Sequence, residues 1–264
     1  MKYILPLSLI ILLACNSADK KEGVDVAGAW KMVSQTMKSD STDTTTTSLQ
    51  QLKIFTGDHM MYANFNAADS SSSFGVGTYE VAADTVKEHV FYSSTDSTKD
   101  DTAHTYSLFI EKTTKGYKQA IPDIYNPADG KHYKLNEEYE SAGAASKTPL
   151  DGIWKLSMAI VISGNDTTAQ TLTHYKAIYG GHVIWGHTII DSLNKTHTGI
   201  GFGEFEMTGD NKAKEKMISS TYPVVRGQTY DLEIVMNGKD EFMQTVIEKD
   251  GTKGIETYQR VKKQ

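Results

Sequence analysis

Several titratable and aromatic residues of this chain occur as matched pairs, and their types suit the lining of a small-molecule cavity. His59 is answered by His182, Tyr62 by Trp185, Asn64 by His187 and Glu88 by Glu215, at separations of 123 to 127 residues. Tyr62 and Trp185 offer large apolar faces. Asn64 and His187 lie two positions further on, so in a strand they share those faces, because successive side chains alternate. A mostly apolar wall with a few convergent polar groups is the general form of a ligand pocket. The competing reading is core filling, with the His and Glu side chains at the rim bonding loop backbone.

Other chemistries fare less well. His182 and His187 are five apart, so on a strand they point to opposite faces and cannot share one ion; no metal site is expected. No cofactor is expected either, with haem on a single histidine as the alternative, since proximal ligation needs only one ring. Glu88 and Glu215 fall one per half and do not form an acid–base pair within one cavity. The chain has no Gly-x-Ser-x-Gly elbow and no Gly-rich loop leading into a helix, so no catalytic residue is assigned. An enzyme would announce itself instead as a cavity group with a displaced pKa.

The elements that must position these residues are written twice. Gly28-Ala29-Trp30-Lys31 returns as Gly152-Ile153-Trp154-Lys155, and Lys53-Ile54-Phe55-Thr56-Gly57-Asp58-His59 as Lys176-Ala177-Ile178-Tyr179-Gly180-Gly181-His182. Gly75-Val76-Gly77-Thr78-Tyr79-Glu80 returns as Gly201-Phe202-Gly203-Glu204-Phe205-Glu206, Thr105-Tyr106-Ser107-Leu108 as Thr229-Tyr230-Asp231-Leu232, and Gln119 as Gln244. A period this long is a duplicated domain, because solenoid repeats run at roughly 20–50 residues. Halves of roughly 115–125 residues bury enough surface to fold on core packing alone. That matters here, because the one cysteine, Cys15, leaves no partner for a disulfide.

Within each half the hydrophobic period is two. Trp154, Leu156, Met158, Ile160 and Ile162 alternate with Lys155, Ser157, Ala159 and Val161, and Tyr230, Leu232, Ile234 and Met236 with Asp231, Glu233 and Val235. Thr56-Gly57-Asp58, Tyr179-Gly180-Gly181, Asn237-Gly238-Lys239 and Asp250-Gly251-Thr252 supply hairpin turns. The Gly75-x-Gly77 and Gly201-x-Gly203 pairs read as kinks where a small barrel bends. The expected fold is all-β: two tandem antiparallel up-and-down barrels, over 26–140 and 150–264, joined by a linker at 141–149. The Ser/Thr/Asp runs at 39–48, 69–73 and 93–102 read as surface loops.

The N-terminus reads as an address. Lys2 precedes a short apolar run from Tyr3 to Leu13, too short for the roughly 20 apolar residues that span a bilayer, so 1–15 is a signal peptide. Leu12-Leu13-Ala14-Cys15 resembles the bacterial lipobox, which implies lipidation of Cys15, with Asn16 implying passage to the outer membrane. Residues 16–25 form a polar tether. The net charge of −6 and only two arginines, Arg226 and Arg260, exclude nucleic acid as a partner.

The Gly-x-Trp at the start of each half, leading into a meander of this length, resembles the lipocalin family. The resemblance implies that the tryptophan closes the barrel floor under a late-strand arginine. Trp154 and Arg260 occupy those places in the second half, whereas Trp30 has no arginine in the stretch from Asn136 to Glu140. The ordered set Lys-x-Phe-x-x-Gly-His, Gly-x-Gly-x-Tyr/Phe-Glu and a later Glu is similar to the lipocalin-like domains of exported Bacteroidetes proteins. Together with the lipobox, this resemblance implies a membrane-anchored, non-enzymatic protein holding a small, largely apolar ligand. The alternative is an envelope module with filled barrels that binds another protein.

Overall fold

The computed structural model describes residues 24–263 except 40–41, 47–48, 96–103, 127–129, 145–146 and 249. The expected signal peptide with Cys15, and nearly all of the expected tether, lie outside the described residues. The first half contains β1 (Gly28–Ser39), β2 (Thr42–Thr46), β3 (Leu49–Phe55), β4 (His59–Asn66), β5 (Ser72–Ala82), β6 (Thr85–Ser93), β7 (His104–Lys112), β8 (Gly116–Asn126) and β9 (Lys131–Ser141). The second contains β10 (Gly152–Ser163), β11 (Asp166–Ala169), β12 (Thr173–Tyr179), β13 (His182–Ile190), β14 (Thr196–Gly209), β15 (Lys212–Ser220), β16 (Thr229–Met236), β17 (Glu241–Ile247) and β18 (Lys253–Arg260). Among the described residues there is no helix.

Each half is an antiparallel meander that closes on itself, β1 pairing with β9 and β10 with β18. Eight strands form each barrel. β2 and β11 are short flaps that extend the far ends of β1 and β10. Closure removes the unpaired edges that an open sheet would expose. The β12–β13 hairpin shows the local logic. Gly180 and Gly181 both have positive φ, 56° and 81°, the requirement of the two-residue turn whose twist matches the flanking strands.

The alternation expected for β10 holds only at its start. The register with β18 slips between Leu156 and Met158, and the equivalent slip in β1 falls between Met32 and Ser34. One extra residue reverses the parity of everything after it. Met158 is therefore exposed and Ala159 buried, the opposite of the sequence pattern.

Both floors are closed by the same device. Trp30 and Trp154 each donate their indole N–H to a carbonyl four residues back, that of Val26 at 2.8 Å and Leu150 at 2.7 Å, and both of those residues are buried. Arg260 lies over the Trp154 ring at 4.0 Å and donates to the Asp151, Pro149 and Lys239 carbonyls, lacing three segments under barrel 2. In barrel 1 the residue opposite Trp30 is Ser141, and Tyr117 packs edge-on against the indole at 4.9 Å.

The two barrels are not beads on a linker. Residues that point outward from β3, β4 and β5 pack against their counterparts on β12, β13 and β14 in one continuous core. Leu52, Ile54, Met61 and Phe74 face Tyr175, Ala177, Ile184 and Ile200 across it. Equivalent faces meet, as across a two-fold axis. Near one end Tyr92 bonds Thr188 at 2.6 Å and Arg226 lies 4.4 Å over Phe65; at the other the β3–β4 turn adjoins the Arg260 floor. The ends opposite the two tryptophan floors consequently face the same side of the molecule.

Candidate functional site

Each barrel interior holds a buried charged cluster at the base of a cavity lined by described residues. In barrel 2, Lys176 on β12 is 1% exposed and ion-paired with Glu215 on β15. Its ammonium also donates to Gln244 Oε1 on β17 at 2.7 Å, and Gln244 Nε2 donates to Glu256 Oε2 on β18 at 2.6 Å. The Tyr258 hydroxyl donates to the same Glu256 oxygen at 2.7 Å, and His174 Nε2 stands 3.4 Å from that hydroxyl. Barrel 1 repeats the scheme. Lys53 pairs with Glu88 at 2.5 Å and donates to Gln119 at 3.4 Å; Gln119 donates to Glu137, and Tyr139 lies 3.0 Å from Glu137 and 2.6 Å from Gln51.

Taking a lysine and a glutamate out of water is expensive, and their attraction offsets that cost only when neighbouring dipoles complete their hydrogen bonds. The glutamine at the centre of each chain does this, accepting from the ammonium and donating to the second carboxylate. Burial raises the Glu88 carboxyl above its usual range, opposed by the Lys53 charge. Burial likewise pushes up the hydroxyls of Tyr62, Tyr139 and Tyr258. It pushes the His174 imidazole well below its ordinary value, with His187 and then Lys176 adding to the effect, so His174 is neutral.

Above this floor the barrel 2 cavity measures about 280 Å³ and that of barrel 1 about 210 Å³. Trp185 and His187 line the former, Tyr62 and Asn64 the latter, and Glu215 and Glu88 sit at the respective bases. In barrel 2 the rings form a wall. Trp185 and His187 are within 4° of parallel at 5.7 Å, and Tyr222 from the β15–β16 loop adds a third ring and lies 2.8 Å from His187 Nε2 through its hydroxyl.

Glycines on the next strand make room for this wall. A Cβ on Gly201 would enter the Trp185 ring, and one on Gly75 would stand 2.6 Å from Tyr62. Gly75 and Gly201 are thus ring seats. Only Gly77 and Gly203 behave as kinks: both come directly after register slips, where the neighbouring carbonyls of His89 and Lys216 approach too closely for a side chain.

Two of the paired residues stand elsewhere. His59 and His182 fall on the outward parity of β4 and β13, at the junction between barrels, and line neither cavity. His59 contacts Asp58 at 2.6 Å, and His182 Nε2 lies 3.3 Å from the Gly143 carbonyl. They sit an odd number of positions from Tyr62 and Trp185, so strand alternation turns them away. The polar groups of an otherwise mostly apolar lining, Lys176, Glu215, Glu256, Gln244 and His174, gather at the base of the cavity. Sequence reasoning does not single out Lys53, Lys176, Glu137 or Glu256 as site residues. The repetition of Lys53, Gln119 and their counterparts is visible in the sequence, but nothing in spacing alone turns a lysine inward. Among the described residues no group of three or more His, Cys, Asp or Glu is placed to hold a metal ion, and no helix is long and apolar enough to cross a membrane.

The fold and its cavities define a tandem β-barrel protein with a ring-walled, polar-floored pocket. No protein-family profile matches the chain, and no curated protein does. Among solved structures, it is similar to a tryptophan-to-alanine mutant of the vaccine antigen transferrin binding protein B from Haemophilus parasuis Hp5. That match covers 91% of this chain and 77% of the other at 9% identity, with a TM-score of 0.25. The tandem closed barrels themselves are established by the strand pairing of this chain.

Proposed function

We propose that the chain is a lipid-anchored, lipocalin-like envelope protein whose second barrel binds a small ring-bearing molecule. The observation that carries this reading is the barrel 2 cavity: a pocket walled by Trp185 and His187, against which Tyr222 stacks, above the buried Lys176–Glu215 floor. About 280 Å³ sits just below the roughly 300–1,000 Å³ typical of ligand pockets, which suits a molecule of one or two rings. Barrel 1 has a smaller space, with Tyr62 and Tyr106 as its aromatic lining, and serves as the supporting half.

The anchor reading rests on Leu12-Leu13-Ala14-Cys15. The chain enters barrel 1 on the floor side, where the Val24 amide donates to the Ala83 carbonyl in the β5–β6 turn at 2.9 Å.

Native mass spectrometry of the full lipoprotein, purified from its envelope in mild detergent, tests both parts. The expected result is a diacylglyceryl-type mass at Cys15, lost in Cys15→Ser, together with an adduct released on unfolding and absent in Trp185→Ala. A bare polypeptide mass that stays bare after incubation with envelope extract and haem would sink the ligand reading. In that case the filled-barrel, protein-binding alternative takes its place. That alternative draws on the apolar residues exposed at the mouth loops of barrel 2, Ile190 at 60%, Leu193 at 73% and Val224 at 81%.

A further inference from the structure

The two barrels differ at one position in a way that specifies a ligand. In barrel 1, Glu137 is saturated: Gln35 Nε2 donates to Oε1 at 2.7 Å, while Gln119 and Tyr139 reach Oε2. Gln35 stands directly opposite Glu137 in the β1–β9 register. In barrel 2 the residue opposite Glu256 in the equivalent β10–β18 register is Ala159. The hydrogen bonds that Glu256 accepts from Gln244 and Tyr258 both fall on Oε2. The carboxylate lines the cavity, and among the described residues no lysine or arginine pairs with it.

A second acceptor is left in the same cavity. Tyr258 gives its only hydroxyl proton to Glu256, so the contact at 3.4 Å requires His174 to carry its proton on Nε2. Nδ1 is then a bare lone pair, and it is buried with no protein partner. A polar atom in that position is costly unless something donates to it. The charges facing the space are one lysine, already engaged by Glu215 and Gln244, against the carboxylates of Glu215, Glu256 and, at the mouth, Glu248.

We propose that barrel 2 takes a small organic cation carrying N–H donors on or beside a flat ring, and that it occupies the place Gln35 holds in barrel 1. Its donors reach Glu256 and His174 Nδ1, and its ring or charge lies against Trp185 and His187, where an aromatic face attracts a cation. An anion of the same size meets uncompensated carboxylates instead. The inference rests on the reading of barrel 2 as a ligand cavity and adds the chemical class.

The test is calorimetric titration of the full lipoprotein in mild detergent with benzamidinium, phenethylammonium and benzoate. Either cation is expected to bind more tightly than benzoate by about tenfold or more, the worth of one charge-assisted hydrogen bond. Ala159→Gln, which copies barrel 1, abolishes cation binding, and Glu256→Gln weakens it while leaving the fold intact. Gln35→Ala opens a second, weaker cation site in barrel 1. Benzoate binding as well as the cations overturns the class and leaves the cavity reading standing. Cation binding unchanged in both Ala159→Gln and Glu256→Gln overturns the location. No binding by any probe, together with an adduct-free native mass, removes the underlying reading as well.

Discussion

At the scale of single residues, each interior is organised by a buried lysine. Lys53 and Lys176 are 3% and 1% exposed, and each is held between a glutamate and a glutamine. Removing one partner of such a pair strands the other charge and costs about 3–5 kcal/mol, whereas the intact pair adds little net stability. These clusters are better understood as determinants of register and cavity shape than as stabilisers. The buried histidine has a pH signature. Because the folded-state value of His174 is depressed below 6.5, the unfolded chain takes up the proton first on acidification. Stability therefore falls as the pH drops below about 6.5 and goes on falling until the folded-state value is passed. His182 and His187, also depressed, act in the same direction, while the raised Glu88 acts in the opposite one. His174→Gln is expected to flatten, without abolishing, the decline in melting temperature between about pH 7 and pH 5 relative to the wild type. Parallel pH profiles for the two proteins would show that His174 is protonated normally.

At the scale of strands, the repeated glycine pairs, Gly75/Gly77 of β5 and Gly201/Gly203 of β14, divide into two kinds by what opposes them. A methyl on Gly201 meets the end of the Trp185 ring, which can swing into the cavity at the expense of the pocket wall. A methyl on Gly203 meets the Lys216 carbonyl and the Ile218 amide, which are backbone and cannot move without breaking the β14–β15 ladder. Gly201→Ala is expected to cost about 1–3 kcal/mol and to shift Trp185 emission toward that of an exposed indole. Gly203→Ala is expected to cost more while leaving Trp185 emission unchanged. Urea unfolding with fluorescence on both variants separates the two roles; equal costs and identical spectra would refute the division.

At the scale of the molecule, the outer faces of β3–β5 and β12–β14 that meet between the barrels are as buried as the interiors. Phe74 is 0% exposed although it points out of barrel 1, because its ring rests on Gly186 of barrel 2, where any Cβ would collide with it. Burying a whole aromatic wall in this way links the two halves energetically, so unfolding is expected as one cooperative transition. Phe74→Asp places a carboxylate in that shared core, and scanning calorimetry is expected to resolve two transitions where the wild type shows one. A single transition at an unchanged midpoint in the variant would mean that the barrels are thermally independent of this contact. The common orientation of the mouths is a consequence of the same packing, since like faces meet with their floors side by side.

The duplicated motifs, the period-two pattern and the glycine turns were enough to specify two closed antiparallel barrels, because hydrophobic alternation and turn chemistry are local and each strand carries its own instructions. The same alternation put Tyr62, Asn64, Trp185 and His187 on one parity, the one that faces inward in the structure. Local pattern failed in three places, each for a physical reason. The bulge in β10 moved Ala159 inside by adding one residue. The apolar outer faces of β4 and β13 were indistinguishable from core until the other barrel was seen to cover them. The inward lysines, Lys53 and Lys176, gain meaning only from glutamates and glutamines some 35 to 80 residues away in sequence, brought within hydrogen-bond distance by barrel closure. Which residues alternate is a property of the strand; which face is inside, and what charge waits there, is decided when the sheet curls shut.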